Sequence, residues 1–356
     1  MPATVAIARA RAALSRSLRD GLERRGYLEV ETPIAVPVAG QEPHLRPFET
    51  VFTPDLPVAA GGVEGARRLH LHTSPEYAMK RLLARPGFGR IYQLARVFRD
   101  GEVTRSHNPE FTLLEFYAAP GSADTIMTDL EALVAGAATA LRLAPEAPPR
   151  AGHGRGEKSA PLELRPPFER LTCQDAFVRY VGFDPLALTD AAALRQAARA
   201  VGVRPADDAS WDDTFTQILL EKVEPCLGLS KPTYLTHYPA SQAALSKVSA
   251  QDPRVAERFE LYAAGLELAN GFSELNDAAE QRARLRDEQE QRLRLGREVF
   301  PLDERFLAAL PSMPEAGGVA VGIDRLLMLL TGAATIAEVL LFPAAEEYGA
   351  ARSAGG

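Results

Sequence analysis

The chain of 356 residues is expected to form an α+β fold, a mixed and mainly antiparallel sheet flanked by helices. Three observations lead there. Helix-like and strand-like segments alternate irregularly rather than in repeated β–α–β units, which argues against a doubly wound parallel sheet. Residues 91–98 and 111–118, rich in β-branched and aromatic side chains, read as two strands joined by a polar loop. No internal repeat appears.

The elements follow in order. Residues 5–25 carry an amphipathic Ala/Arg/Leu pattern that reads as a helix, stopped by Gly26 as C-cap. Residues 27–33 form a short strand ended by Pro33. A second short strand covers 69–72, and a helix covers 75–83 with Ser74 placed to cap it. After the hairpin comes a helix over about 123–141. Residues 144–167 shift to Pro, Gly and Arg and read as a mobile loop. A mainly helical insertion is expected at about 168–230, its helices within 172–227. Strand signals return at 233–237 and at 257–268, the latter as one long alternating stretch. A charged helix over 277–297 follows, then a strand at 317–321 and a helix at 323–330. The whole is expected to be one domain, 1–356, interrupted only by the loop and the insertion.

Composition narrows the function. Hydrophobic residues make up 46% and charged residues 24%, ordinary for a globular protein. A net charge of -7 disfavours a surface that wraps a polyanion, although a local basic groove is compatible with it. The two cysteines, Cys173 and Cys226, lie far apart, which speaks against a disulfide framework or a zinc site and fits a reducing cytoplasm. The N-terminal segment lacks the apolar core of a signal peptide or membrane span. Two patterns resemble sites and are set aside. Residues 152–159 look like a phosphate loop, but Glu157 separates glycine from lysine and no buried strand precedes it. His70 and His72 share a strand face, yet no carboxylate or cysteine stands at ligand spacing.

Three segments carry chemistry. In the first, residues 98–117, an arginine leaves one strand and an aromatic enters the next. A guanidinium forks onto a phosphate and a ring covers a base, so the pair suits a nucleotide as well as an ordinary solvated hairpin. In the second, residues 265–277, Glu267 sits in an apolar run where an unpaired carboxylate is costly, and Glu274 follows seven residues later. The two could hold Mg²⁺ against phosphates or form structural salt bridges. In the third, residues 317–326, a strand runs into a helix through Gly322, with Arg325 in the first turn able to lie on a purine or clamp a phosphate.

Together these segments resemble the catalytic domain of class II aminoacyl-tRNA synthetases. Residues 26–37 are similar to the first motif of that class, the hairpin to the second and residues 318–330 to the third. Within the class the resemblance is closest to lysyl-tRNA synthetases, through Thr73-Ser74-Pro75-Glu76, the 107–112 run and the 271–277 run, and it extends from about Arg9 to Phe342. Those enzymes carry an N-terminal anticodon-binding barrel, which needs roughly a domain's worth of residues. Here the first motif begins near Gly26, so no anticodon-binding domain is expected. A free-standing core of this kind resembles the family of elongation factor P–(R)-β-lysine ligases, as do residues 238–242 and 252–259.

That resemblance implies an ATP-dependent ligase. It activates (R)-β-lysine, or lysine, as an aminoacyl-adenylate and passes it to a lysine ε-amine of elongation factor P. ATP is a substrate and Mg²⁺ the expected metal. Arg99 and Arg325 fall at catalytic positions, Arg99 joining the α-phosphate to the attacking carboxylate and Arg325 covering adenine opposite Phe111. Asp100, Gly101, Glu102, Asn108, Leu268 and Gly322 fall at ATP-binding positions, and Glu267 and Glu274 at Mg²⁺-binding positions. The motif usually reads Arg-x-Glu; Gly101 stands at the glutamate place and Glu102 is expected to substitute. Ser74, Pro75, Glu76, Glu115, Tyr117, Glu274 and Ala320 surround the amino acid, with Glu280 a further candidate. The resemblance also implies a cytoplasmic homodimer with no membrane or tRNA partner. Two other functions stay open on sequence: a truncated lysyl-tRNA synthetase that charges tRNA, and a non-catalytic nucleotide or amino-acid sensor. Erosion of Arg99 and Arg325 would mark the sensor, and both are present.

Overall fold

The computed structural model describes residues 4–54, 65–143 and 162–349. Helix α1 (Val5–Glu23) begins where the Thr4 side chain accepts from the Ile7 N–H. Its Ile7, Ala10, Leu14, Leu18 and Leu22 recur at helical spacing and are buried. They meet helix α3 (Ala123–Leu143) of the same chain, so the apolar stripe is covered internally. The strand expected at 27–33 shrinks to β1 (Leu28–Glu29), which pairs parallel with β5 (Arg90–Phe98).

Strands β2 (Ala35–Val36), β3 (Glu49–Phe52) and β4 (Arg67–Leu71) form a small sheet of which only the 69–72 strand was legible. Helix α2 (Glu76–Leu83) follows, and the hairpin forms as expected. β5 and β6 (Glu110–Ala118) pair without a slip from Arg90↔Ala118 to Phe98↔Glu110. The expected loop at 144–167, with the 152–159 stretch, lies outside the described residues from 144 to 161. After it, β7 (Glu169–Thr172) adds a parallel strand beside β8 (Thr233–Pro239). Between them α4 (Cys173–Tyr180), α5 (Ala191–Ala200) and α6 (Trp211–Ile218) pack around Phe177 and Phe215, whose rings stack 4.8 Å apart.

The single strand expected at 257–268 is instead a hairpin, β9 (Val255–Ala263) and β10 (Leu266–Ser273). Ala264 and Gly265 both take positive φ, 55° and 69°, the backbone of a two-residue turn that matches strand twist. Helix α7 (Ala278–Arg294) starts at Asp277, whose carboxylate accepts from the Ala279 and Glu280 N–H groups. Helix α8 (Glu304–Ala309), strand β11 (Gly317–Gly322), helix α9 (Ile323–Thr331) and helix α10 (Ala344–Glu347) follow among the described residues.

The main sheet runs β1-β5-β6-β11-β10-β9-β8-β7, with parallel pairs only at its two edges. Its two faces part by alternation. Leu114, Phe116, Val319 and Val321 point into a core closed by α1, α3 and α9. Leu113 and Glu115 point the other way, where α2, α7 and α8 cover only part of the sheet. The uncovered part is a cavity. Among the described residues no helix is long and apolar enough to cross a membrane.

Candidate active site

The cavity has a volume of about 340 Å³ and lies over the middle of the main sheet. At one end stand Arg99, Phe111 and Arg325, at the other Ser74, Glu76 and Glu115. Ala320 and Gly322 of β11 form part of its floor. The three sequence segments therefore converge.

Arg99 leaves β5 as its N–H donates to Pro109 O at 2.8 Å, which closes the hairpin loop. Its guanidinium lies over the Phe111 ring, 5.0 Å from the centroid, with Glu102 at 4.0 Å. Arg325 donates from one nitrogen to both the carbonyl and Oε2 of Glu267, each at 3.0 Å, and from another to His107 Nε2 at 2.5 Å. Burial, then Arg325 and Arg99, push the His107 pKa down to about 4, so the ring is neutral and its Nε2 is an acceptor. The proton then sits on Nδ1, which faces Thr104 Oγ1 at 2.7 Å.

A bulge makes the second segment work. Register jumps between Glu267↔Tyr262 and Ala269↔Leu261, so Leu268 is the extra residue. Glu267 and Asn270, three apart, would face opposite sides of a regular strand; the bulge brings both to the cavity. Asn270 Oδ1 is buried there without a hydrogen-bond partner. Behind Glu267 stands Glu260, whose carboxylate accepts from Tyr238, Tyr262 and Arg258. Burial and the Glu260 charge raise the Glu267 pKa, against Arg325.

At the other end Ser74 accepts from the Glu76 N–H at 3.0 Å and donates to Glu115 Oε1 at 2.6 Å, while Tyr117 donates to Glu115 Oε2 at 2.9 Å. Glu115 is only 1% exposed. Burial and the nearby Glu76 push its pKa up to about 8. Gly318 admits this arrangement, since a Cβ there would stand 2.2 Å from Glu274 Oε1 and 2.3 Å from the Tyr117 ring.

Several expectations are corrected. Glu267 and Glu274 do not converge on one cation: Glu274 turns away to Lys80, and the carboxylate beside Glu267 is Glu260. Asn108 lines the cavity, where its Oδ1 accepts from Ala344 N and one hydrogen of its Nδ2 donates to Glu110 O. Asp100, Gly101 and Glu102 face an adjoining cavity beside Arg46 and Arg292. Gly101 has φ +84°, and a Cβ would lie 2.8 Å from the Arg46 guanidinium, which explains glycine where glutamate is usual. Pro75 lies outside the main cavity, and Tyr117 and Glu274 lie one layer beneath it. Glu280 is half-exposed and paired with Arg284. Sequence reasoning missed Lys80, Glu260 and Asn270 and gave no role to His107. Lys80 follows Glu76 by four on a helix and was visible as an i,i+4 pair.

Among the described residues, no three His, Cys, Asp or Glu side chains cluster closely enough to hold a metal ion. The family model described as "tRNA synthetases class II (D, K and N)" matches residues 2–346. The elongation factor P–(R)-β-lysine ligase of Proteus mirabilis (strain HI4320) is 42% identical over 336 residues, covering 94% of this chain and 93% of that protein. The Salmonella typhi protein of the same name is 41% identical over 335 residues, 93% of each.

Proposed function

The chain belongs to the class II tRNA synthetase family and, within it, to the elongation factor P–(R)-β-lysine ligases, and from this premise we propose that it activates (R)-β-lysine with ATP and transfers it to a lysine of elongation factor P. One observation carries the reading. Two arginines and an aromatic ring, suited to a nucleotide, share a cavity with Glu76 and Glu115, suited to ammonium groups.

The first step is in-line attack of the substrate carboxylate on the α-phosphate, which forms the mixed anhydride and releases pyrophosphate. It needs alignment and charge neutralisation more than a dedicated base. Arg99 bridges the carboxylate and the α-phosphate. Phe111 and Arg325 enclose the adenine, and Glu267 and His107 hold Arg325 in place. Glu76 and Glu115 take the ammonium groups. In the second step the neutral ε-amine of the acceptor attacks the carbonyl, forms the amide and expels AMP.

Glu267, whose Oε2 also accepts from Arg325, and the buried, unpartnered Asn270 Oδ1 are the oxygens that would hold Mg²⁺. When bound, that ion neutralises phosphate charge. A cytoplasmic homodimer accompanies this function. Its interface is expected at the edge strand β1, where Leu28 is exposed, because the apolar stripe of α1 is already covered by α3. Pyrophosphate exchange with (R)-β-lysine and with lysine, followed by acyl transfer to elongation factor P or to tRNA, tests the proposal. Transfer to tRNA alone would overturn it.

A further inference from the structure

The least exposed charge at the amino-acid end of the site is a cation. Lys80 on α2 has a fully buried side chain, with Nζ 2.6 Å from Glu76 Oε1 and 2.5 Å from Glu274 Oε2. The Phe306 ring closes the other side, its centroid 6.0 Å away. Burial opposes the ammonium, but Glu274 and Glu76 outweigh it and push its pKa up to about 12. Lys80 therefore stays charged. Packing alone explains it poorly, because an apolar side chain fills such a space without needing carboxylates around it.

Three carboxylates, Glu76, Glu115 and Glu274, act on one another here. The next pair outward, Glu42 and Glu288, is pushed toward the neutral form by burial, Glu288 to about 8, and lies beside Arg292. An ammonium group that binds here displaces the proton of Glu115; with the substrate in place and all three carboxylates ionised, Lys80 cancels one charge of the three and leaves two. The proposed substrate carries two ammonium groups once its carboxylate is matched to Arg99.

We propose that Lys80 is a positioning and specificity-determining residue: by cancelling Glu274 it sets the pocket at two net negative charges and so matches it to an amino acid with two ammonium groups. This rests on the functional reading above, in which the cavity takes a diamino acid.

The test is a double-mutant cycle read by pyrophosphate exchange and by ligand-induced thermal shift, with (R)-β-lysine and with 6-aminohexanoate, which lacks the second amine. Glu274→Gln leaves one net negative charge. Its kcat/KM for (R)-β-lysine falls by about a hundredfold, while that for 6-aminohexanoate falls far less. Adding Lys80→Met to Glu274→Gln restores two net charges and regains at least about tenfold for (R)-β-lysine. A double variant no better than Glu274→Gln overturns the proposal. Should Glu274→Gln fail to fold, Lys80→Met alone replaces it, again with the double variant as the rescue. Thermal shift reports the same order without chemistry. If the unmodified enzyme shows no exchange with (R)-β-lysine or lysine, the functional reading falls. A working enzyme with an additive cycle removes only the role of Lys80.

Discussion

The guanidinium of Arg325 donates to His107 Nε2 at 2.5 Å, which ties the third segment of the site to the loop of the first. The same arginine reaches Glu267 of the second segment at 3.0 Å. One side chain thus locks all three, and its partners fix its plane before any nucleotide arrives.

His107→Ala is expected to slow pyrophosphate exchange by about tenfold or more, because Arg325 loses an acceptor that restrains it. His107→Asn, which keeps an acceptor, should recover part of the loss. Circular dichroism should show the fold intact in both. Exchange at the native rate in His107→Ala would show that the contact does not restrain the arginine in use.

Arg99→Ala removes a charged contact that tightens at the transition state, so adenylate formation should drop by roughly a hundredfold or more. Arg179→Ala, on the insertion surface and paired with Glu169 there, serves as the control and should leave the rate unchanged. Near-native exchange by the Arg99 variant would falsify its assigned role.

Glu115 should make amino-acid binding depend on pH. Its pKa near 8 in the free protein means that an ammonium group must displace a proton below that pH. KM for (R)-β-lysine is expected to rise as pH falls below 8, by at most about tenfold per unit. Because 8 lies above the ordinary 4.5, the folded protein holds a proton that the unfolded chain releases. Stability from this group is complete below pH 4.5 and is lost as pH rises through 8. The substrate-induced rise in melting temperature should therefore be larger at pH 8.5 than at pH 6.5; an equal rise at both would remove Glu115 from the binding step.

Asn108→Ala should destabilise the protein by about 1–3 kcal/mol, since the buried N–H of Ala344 and the carbonyl of Glu110 both lose a partner. Denaturant unfolding measures this. A stable variant with a large rise in KM for ATP would instead assign Asn108 to the nucleotide.

Ala320 lies on the cavity floor, paired in register with Glu115 and Asn270. Its methyl is expected to crowd an α-amino group beside the carboxylate and to spare a β-amino group one carbon farther along. Ala320→Gly should raise activation of lysine relative to (R)-β-lysine, by tens-fold at most, as one methyl in a tight pocket is worth about 1–3 kcal/mol. An unchanged ratio of the two kcat/KM values would leave Ala320 a packing residue only.

Local rules made much of this legible. Strand pairs such as β5 and β6, the capped helix α7 and the glycine stop after α1 follow from periodicity, capping chemistry and backbone freedom, all of which act within a few residues. Arg99, Phe111 and Arg325 could be named because their chemistry is written in their type and in the elements beside them. Direction could not be read. Whether Glu267 meets Glu274 or Glu260 depends on one extra residue in β10, and a one-residue shift sends a strand's side chains to the other face. The burial of Lys80 follows from α2 packing against β5, Phe306 and Glu274, none of which is near it in sequence. That the Asn108 carboxamide also meets Ala344, far along the chain, could not be read either. By itself the sequence determined most of the helices, the strands of the central hairpin and which side chains can do the chemistry. Tertiary structure alone decided which carboxylate meets which cation, because burial and long-range pairing set those energies and neither is a property of neighbouring residues.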